Sequence, residues 1–507
     1  MLHRIGVRML VSTKQSSVVA KPFFTGMLAV LLLAGCSGGT AGTGTTNTNT
    51  TPAVTIANLQ AFSNTNGSAS TYTNAGVIDE SGVFFQPLGT NGRTCATCHQ
   101  ASQGMALSAD SMQALFTSTS GTDPLFNAVD GANCPTVVTG DSAGHSLILG
   151  KALIRVAMTL PKTAQFTITA IHDPYGCAIT LDGTGAQIVS VYRRPLPTAS
   201  LPYLSAVMWD TRETLQPLTS AATFSANLDT DLTQQATDAV ATHEQGAAVP
   251  TAGQLSAIIA LEEGLYTAQA TDSVAGSLTA AGAKGGAANL AAQNYYPGIN
   301  DAFGGDPTGA TFTPVVFTLY QSWRNSTNAA QASIARGEDI FNNAPLNITN
   351  VRGINDNTAL GSPNALRGTC TTCHDAPNVG SHSLPLPMDT GTSRLAADET
   401  NAQIIGGVNQ LAAADVPIYQ ITGCTDTQGR PVTYTTTDPG KGLLTGLCAD
   451  VNRVKTPILR GLAARSPYFH NGSADTIQEL VNFYNVRFQM GLNPQQMTDL
   501  ENFLNTL

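Results

Sequence analysis

The sequence predicts a mainly α-helical fold made of two similar domains, with loop-rich segments and small β inserts. Three observations carry this. The chain has 507 residues, more than a single hydrophobic core usually serves, so two domains are expected. A short cysteine motif occurs twice, at 95–99 and at 370–374. Apolar residues recur three and four apart in several segments, the period of a helix with one buried face.

Composition narrows the class. Hydrophobic residues make up 42% of the chain, as in a globular protein, while charged residues make up only 11% and the formal net charge is −10. No basic cluster follows the N-terminus, so nucleic acid is not an expected partner. The abundance of Thr, Asn, Gly and Ala in place of charge suits an exported protein.

The N-terminus points the same way. Arg4, Arg8, Lys14 and Lys21 precede a short apolar run, Phe23 to Leu33, that ends in Leu33-Ala34-Gly35-Cys36. The run is too short for a membrane span, and the ending resembles a bacterial lipoprotein signal. Residues 1–36 are therefore expected to be a signal peptide, with a lipid anchor at Cys36. Ser37 follows, not Asp, which implies an outer-membrane lipoprotein facing the periplasm or cell surface. Residues 37–55, rich in Gly, Thr, Ser and Asn, read as a flexible tether.

Cys95-Ala96-Thr97-Cys98-His99 and Cys370-Thr371-Thr372-Cys373-His374 are the strongest features. Two thiols three apart lie on one face of a helical turn, where both can form thioethers to one haem. The His that follows is placed beneath the iron as a ligand. A zinc ribbon would need Cys pairs without the dedicated His. Similar frames precede the motifs: Gly92-Arg93-Thr94 and Arg367-Gly368-Thr369, and further upstream Gly82-Val83-Phe84-Phe85 and Gly337-Glu338-Asp339-Ile340-Phe341. Two covalently bound haem c groups are thus expected, one in a domain over 56–330 and one in a domain over 331–507. Of the nine Cys, Cys134, Cys177, Cys424 and Cys448 remain. In an oxidising compartment they read as two disulfides. Three pairings exist, and Cys134–Cys177 with Cys424–Cys448 is favoured because each keeps to one half of the chain.

Along the chain, 56–115 reads as short helices and loops around the first motif. Within 120–200, Phe166-Thr167-Ile168-Thr169 and Ile188-Val189-Ser190-Val191-Tyr192 are β-prone. Residues 200–335 read as mostly helical, with a helix over Leu255 to Ala268. A helix from Ser333 to Phe341 opens the second domain, 375–450 is loop-rich, and two amphipathic helices, Thr476 to Tyr484 and Pro494 to Leu507, are capped by Asp475 and Asn493.

The stretch Lys455-Thr456-Pro457-Ile458-Leu459-Arg460-Gly461 through Ser466-Pro467-Tyr468-Phe469-His470-Asn471-Gly472 closely resembles the signature of the bacterial di-haem cytochrome c peroxidase and MauG family. Trp209-Asp210-Thr211-Arg212-Glu213 is similar to the family's Trp-Asp-Gly-Arg segment, with Thr211 at the Gly position. The resemblance implies two cytochrome-c-like helical domains. It implies a reactive haem on His99, a relay haem on His374, and Trp209 between them assisting electron transfer. The relay haem's other ligand stands fourteen residues after the signature His; here that is Tyr484, with Met490 and Met388 as alternatives. Gln235-Ala236 matches a Gln-Ala segment beside the reactive haem, and Glu244 stands nearest the acid position, with His243 adjacent. His145 and His172 are further candidates for that side. His382 reads as a supporting or surface residue, and His470 as structural or haem-carboxylate-binding. The family often holds Ca²⁺ between its domains, but its Asn ligand has no clear counterpart near Arg194-Pro195, so calcium stays open.

The resemblance implies an oxidoreductase that reduces hydrogen peroxide or another small oxidant, with a small redox protein as electron donor. The alternatives are a periplasmic electron-transfer cytochrome without catalysis and an oxygenase-type relative that acts on O₂.

Overall fold

A computed structural model of the protein describes residues 54–393, 415–426 and 428–507. Cys36, the signal and the tether as far as residue 53 lie outside the described residues. The fold is mixed α/β, which corrects the mainly α expectation. Five small antiparallel sheets accompany ten α-helices among the described residues.

Two corrections meet in one sheet. Residues 55–79 form strands, not helices, and the helix expected over 255–268 ends early. It spans Ala252–Glu263 and gives way after Gly264 to the strand Leu265–Asp272. That strand pairs with Gly67–Thr73 in a four-stranded sheet. Thr and Tyr occur in both partners, and Thr71 Oγ1 meets Thr267 Oγ1 at 2.8 Å while Ser68 Oγ meets Thr271 Oγ1 at 2.7 Å. Such cross-strand pairs favour sheet, and this pairing joins segments roughly two hundred residues apart.

The β insert forms as expected at Thr167–His172 and Gln187–Arg193. Thr167–His172 pairs with Ile418–Thr425, which in turn pairs with Pro431–Thr436. The loop-rich reading of 375–450 is corrected accordingly, because it contains a hairpin docked on a strand from the first half. Disulfides Cys134–Cys177 and Cys424–Cys448 brace this region, with Cα separations of 6.0 and 5.5 Å.

Near the C-terminus, helix Ala329–Asn343 crosses helix Pro494–Leu504. Gly337 permits the crossing, since a side chain there would collide with the Asp499 carbonyl. Asp499 accepts from Ser333 Oγ at 2.6 Å and from Arg336 Nε at 2.8 Å. Phe317, Phe341 and Phe503 pack together beneath the crossing. Asn493 caps the last helix as expected. Helix Ile477–Arg487 is capped by Thr476 and not by Asp475, because the Thr476 hydroxyl reaches the Glu479 N–H at 3.1 Å. No helix of the described residues is long and apolar enough to cross a membrane.

The Cys134–Cys177 bridge closes a 43-residue separation, so replacing both with Ala is expected to lower stability by about 3–4 kcal/mol. A urea titration should show an earlier midpoint, and an unchanged midpoint would refute the bracing role.

Candidate functional site

The two CxxCH motifs start in the same way. The backbone N–H of Thr94 donates to Thr97 Oγ1 at 2.9 Å, and that of Thr369 to Thr372 Oγ1 at 3.0 Å. Each contact closes a reciprocal cap that begins a helical turn, Cys95–Cys98 in one case and the tighter Cys370–Thr372 in the other. The imidazoles are also held alike. His99 Nδ1 lies 3.3 Å from the Met105 carbonyl and His374 Nδ1 2.6 Å from the Gly380 carbonyl, six residues on in each case. Met105 and Gly380 both have left-handed backbones, with φ of 59° and 77°. A proton held on Nδ1 leaves the Nε2 lone pair free for a ligand bond. Burial pushes both imidazoles down to about 4, so both are neutral near pH 7. An aromatic ring stands by each: Phe84 at 6.4 Å from His99 and Phe341 at 6.0 Å from His374. These are the rings of the repeated upstream frames.

Each motif lines a large cavity. The first encloses about 1340 Å³ of space, its open mouth included, and its walls include Cys95, Cys98, His99, Gln235, Glu244 and Glu262. The second encloses about 1460 Å³, with Cys370, Cys373, His374, Met388, Tyr484 and Met490 in its walls. Burial pushes the Cys98, Cys370 and Cys373 thiols up to about 12 and also raises Cys95. These thiols stay protonated, which is unlike a thiolate nucleophile.

The cavities share Arg194, Pro195, Trp209 and Lys455. Trp209 Nε1 donates to the Arg194 carbonyl at 2.8 Å, and Lys455 N–H donates to the Trp209 carbonyl at 2.8 Å. The Lys455 ammonium and the His470 ring each stand 6.0 Å from the indole. Thr211, where the resembled segment has Gly, has φ of 65°, the region that favours Gly. The substitution therefore leaves the turn's glycine-like conformation in place.

The junction carries uncompensated positive charge. Arg194 donates only to backbone carbonyls, among them Lys151 at 3.0 Å and Arg465 at 2.9 Å. Arg465 likewise donates to the Ile458 and Arg460 carbonyls. Neither guanidinium, nor the Lys455 ammonium, forms an ion pair with a carboxylate among the described residues. Burial pushes Arg194 down to about 9, Arg465 to about 10 and Lys455 to about 7. Buried cations without counter-ions favour an anionic guest.

In the first cavity, Gln235 projects from helix Phe224–Thr242. Glu244 Oε2 accepts from the backbone N–H groups of Leu88 at 2.8 Å and Gly89 at 3.2 Å, and its other oxygen is 3.7 Å from Cys95 Sγ. The carboxyl is thus engaged beside the motif. His243 is joined to Asp130, which also pairs with Arg93. Sequence reasoning missed Glu262. It is 4% exposed, its Oε2 has no hydrogen-bond partner, and burial, aided by the charge of Glu263, pushes it up to about 8. The available signal was a carboxylate at the i+7 position of a buried Leu255, Ile258, Ile259 stripe.

In the second cavity, Tyr484, Met388 and Met490 stand in one wall cluster with Phe488. The Tyr484 hydroxyl makes no hydrogen bond to any described residue, and burial raises its pKa. His470 also lines this cavity, held by Ser393 Oγ at 3.0 Å. The remaining histidines lie elsewhere. His145 bonds the Asp141 and Phe126 carbonyls at 2.6 and 2.9 Å, and His172 sits exposed on a strand. His382 is buried beside Asp375, which corrects the surface reading.

No protein-family model and no curated protein matches the sequence. Among solved structures, the chain is similar to a MauG-like protein associated with microbial copper homeostasis. Identity is 15% and the TM-score 0.28, over 66% of this chain and 79% of that one. It is also similar to hydrazine synthase of Kuenenia stuttgartiensis, at 14% identity and a TM-score of 0.29, over 79% of this chain and 93% of that one.

Glu262 supplies a test. A carboxyl whose folded pKa is raised to about 8 favours the fold below its ordinary value near 4.5, and that benefit is lost as pH rises through about 8. Between pH 5 and pH 9 the native chain should therefore lose at least about 1 kcal/mol relative to Glu262→Gln. Equal pH slopes in urea unfolding would show that the carboxyl is ordinary.

Proposed function

We propose that the protein is a di-haem redox enzyme, with one haem c attached at Cys95 and Cys98 and ligated by His99, and a second attached at Cys370 and Cys373 and ligated by His374. Hydrogen peroxide, or another small oxidant, is reduced in the first cavity, and electrons arrive through the second from a small redox protein. One observation carries this reading: two CxxCH motifs in matching local frames line two large cavities that share Trp209.

The residues fit the group. The thiols of each motif are free and line a cavity, and each imidazole keeps Nε2 available. Arg194, Lys455 and Arg465 offer the carboxylates of a tetrapyrrole the counter-charges they lack. When bound, haem iron supplies one-electron transfer and peroxide cleavage.

The chain's own groups do the rest. Reduction of one peroxide consumes two electrons and two protons and releases two waters. Glu262 holds a proton near pH 7 and can deliver it within the first cavity; Gln235 and Glu244 complete the polar wall. Trp209 spans the two cavities as the positioned aromatic between them. On the second side Tyr484 is the assigned ligand, with Met388 and Met490 as neighbours in the same wall. A phenolate oxygen favours the oxidised metal and lowers its potential. The 56–330 and 331–507 halves are taken as the two haem-bearing parts. The lipid anchor at Cys36 and a periplasmic or cell-surface location complete the reading, with Ca²⁺ an open addition.

The oxidised, purified protein should contain two haem c per chain and show a high-spin signal that changes on adding hydrogen peroxide. An all-low-spin protein inert to peroxide, even after one-electron reduction, would instead indicate an electron carrier. Trp209→Phe should slow peroxide turnover by about tenfold or more while both haems stay attached. An iron–Met charge-transfer band in the native protein would remove Tyr484 as ligand.

A further inference from the structure

Three ionisable side chains meet outside both cavities. Asp301, Asp375 and His382 offer ligand atoms that all lie within 4.8 Å of one another. They are 2%, 0% and 1% exposed. His382 Nδ1 stands 2.7 Å from Asp375 Oδ2. The two are close enough to pair as ions, although neither Asp375 Oδ2 nor either nitrogen of His382 makes a well-directed hydrogen bond. Leaving such atoms without directed bonds is costly, and one ion bound by Asp375 Oδ2 and a single imidazole nitrogen would satisfy two of them.

The carboxylates are held from behind. Asp375 Oδ1 accepts from the Ser383 N–H at 2.6 Å. Asp301 Oδ2 accepts from the N–H groups of Phe303 at 3.0 Å and Gly305 at 2.6 Å. The Phe303 ring stands edge-on to His382 at 6.2 Å. Ligands oriented by backbone amides and packed rings are the usual support of a metal centre.

We infer that Asp301, Asp375 and His382 bind one divalent first-row transition-metal ion. One imidazole with two carboxylates suits Mn²⁺ or Zn²⁺, whereas Ca²⁺ prefers oxygen alone. The ion's role follows from its place. Asp375 directly follows His374, and the turn from 376 to 381 is closed by Ala376 N–H on the Ser381 carbonyl at 3.0 Å. That turn carries Gly380, whose carbonyl holds His374 Nδ1. An ion bound by Asp375 and His382 clamps both ends of the turn and ties it to the 298–306 loop through Asp301. The inference goes beyond the haem reading and does not rest on it, since none of the three residues lines either cavity.

Mn²⁺ is the suitable probe, because it binds carboxylate and imidazole but has little affinity for thiols. The full chain, stripped with chelator and dialysed, should bind one Mn²⁺ whose electron-spin-echo signal shows coupling to an imidazole nitrogen. Zn²⁺ should displace it and equimolar Ca²⁺ should not. His382→Gln should abolish the nitrogen coupling and weaken binding by about tenfold or more, and Asp301→Asn should weaken it similarly. If either variant fails to fold, the nitrogen coupling in the native chain decides. A folded native chain that takes up no Mn²⁺, a bound ion without nitrogen coupling, displacement by Ca²⁺, or coupling that survives in folded His382→Gln would each overturn the site.

Discussion

Arg193 ends the strand Gln187–Arg193 inside the molecule, between two carboxylates. Its Nη1 meets Asp210 at 2.5 Å, and its Nε and Nη2 meet Asp438 at 2.7 and 3.0 Å. All three side chains are buried. Burial alone would raise Asp210, but Arg193 and Arg212 pull it down to about 2, so the pair stays ionised. Removing one member of such a pair leaves a buried charge and typically costs roughly 3–5 kcal/mol. This one guanidinium joins the β insert, the Trp209 segment and the turn after the 431–436 strand. Asp438 also lies 3.7 Å from His470, whose ring stands beside Trp209. The position of the indole between the cavities therefore depends on a charge balance set by residues from three distant parts of the chain.

Next to this balanced arginine lies an unbalanced one. Arg193 has two carboxylates, while Arg194 has only carbonyls and shares the junction with Lys455 and Arg465. Arg193 and Arg212 balance Asp210 and Asp438. Under the proposed function, the unbalanced cations beside them face the haem carboxylates.

The two sites are alike where they hold a histidine and unlike in the rest of their walls. A capped turn, an Nδ1 contact six residues on and an upstream phenylalanine recur at both motifs. The other polar groups of the walls do not recur. The first cavity has a protonated carboxyl, Glu262, and a carboxyl engaged by backbone, Glu244. The second has a phenol and two thioethers in one apolar wall. Under the proposed function, this inequality assigns proton delivery to one side and ligation to the other.

Much of this was legible in the residues alone. The CxxCH motifs, the repeated Phe frames, the disulfide pairs and the Asn493 cap are local or short-range patterns, and short-range chemistry is what a sequence displays. The pairing of the strands at 67–73 and 265–272 was not legible, because it joins polar, Thr-rich segments some two hundred residues apart. Glu262 hid for a related reason: a carboxylate in an apolar helical stripe looks like an error until the helix is packed against a cavity. The cluster of Asp301, Asp375 and His382 joins residues more than seventy positions apart. The sequence by itself determined which groups could hold a cofactor, since thiol spacing and the adjacent His are covalent facts. Only the tertiary structure decided that both motifs look onto cavities meeting at Trp209, because cavity walls, buried charge and raised pKa values exist only once distant segments exclude water together.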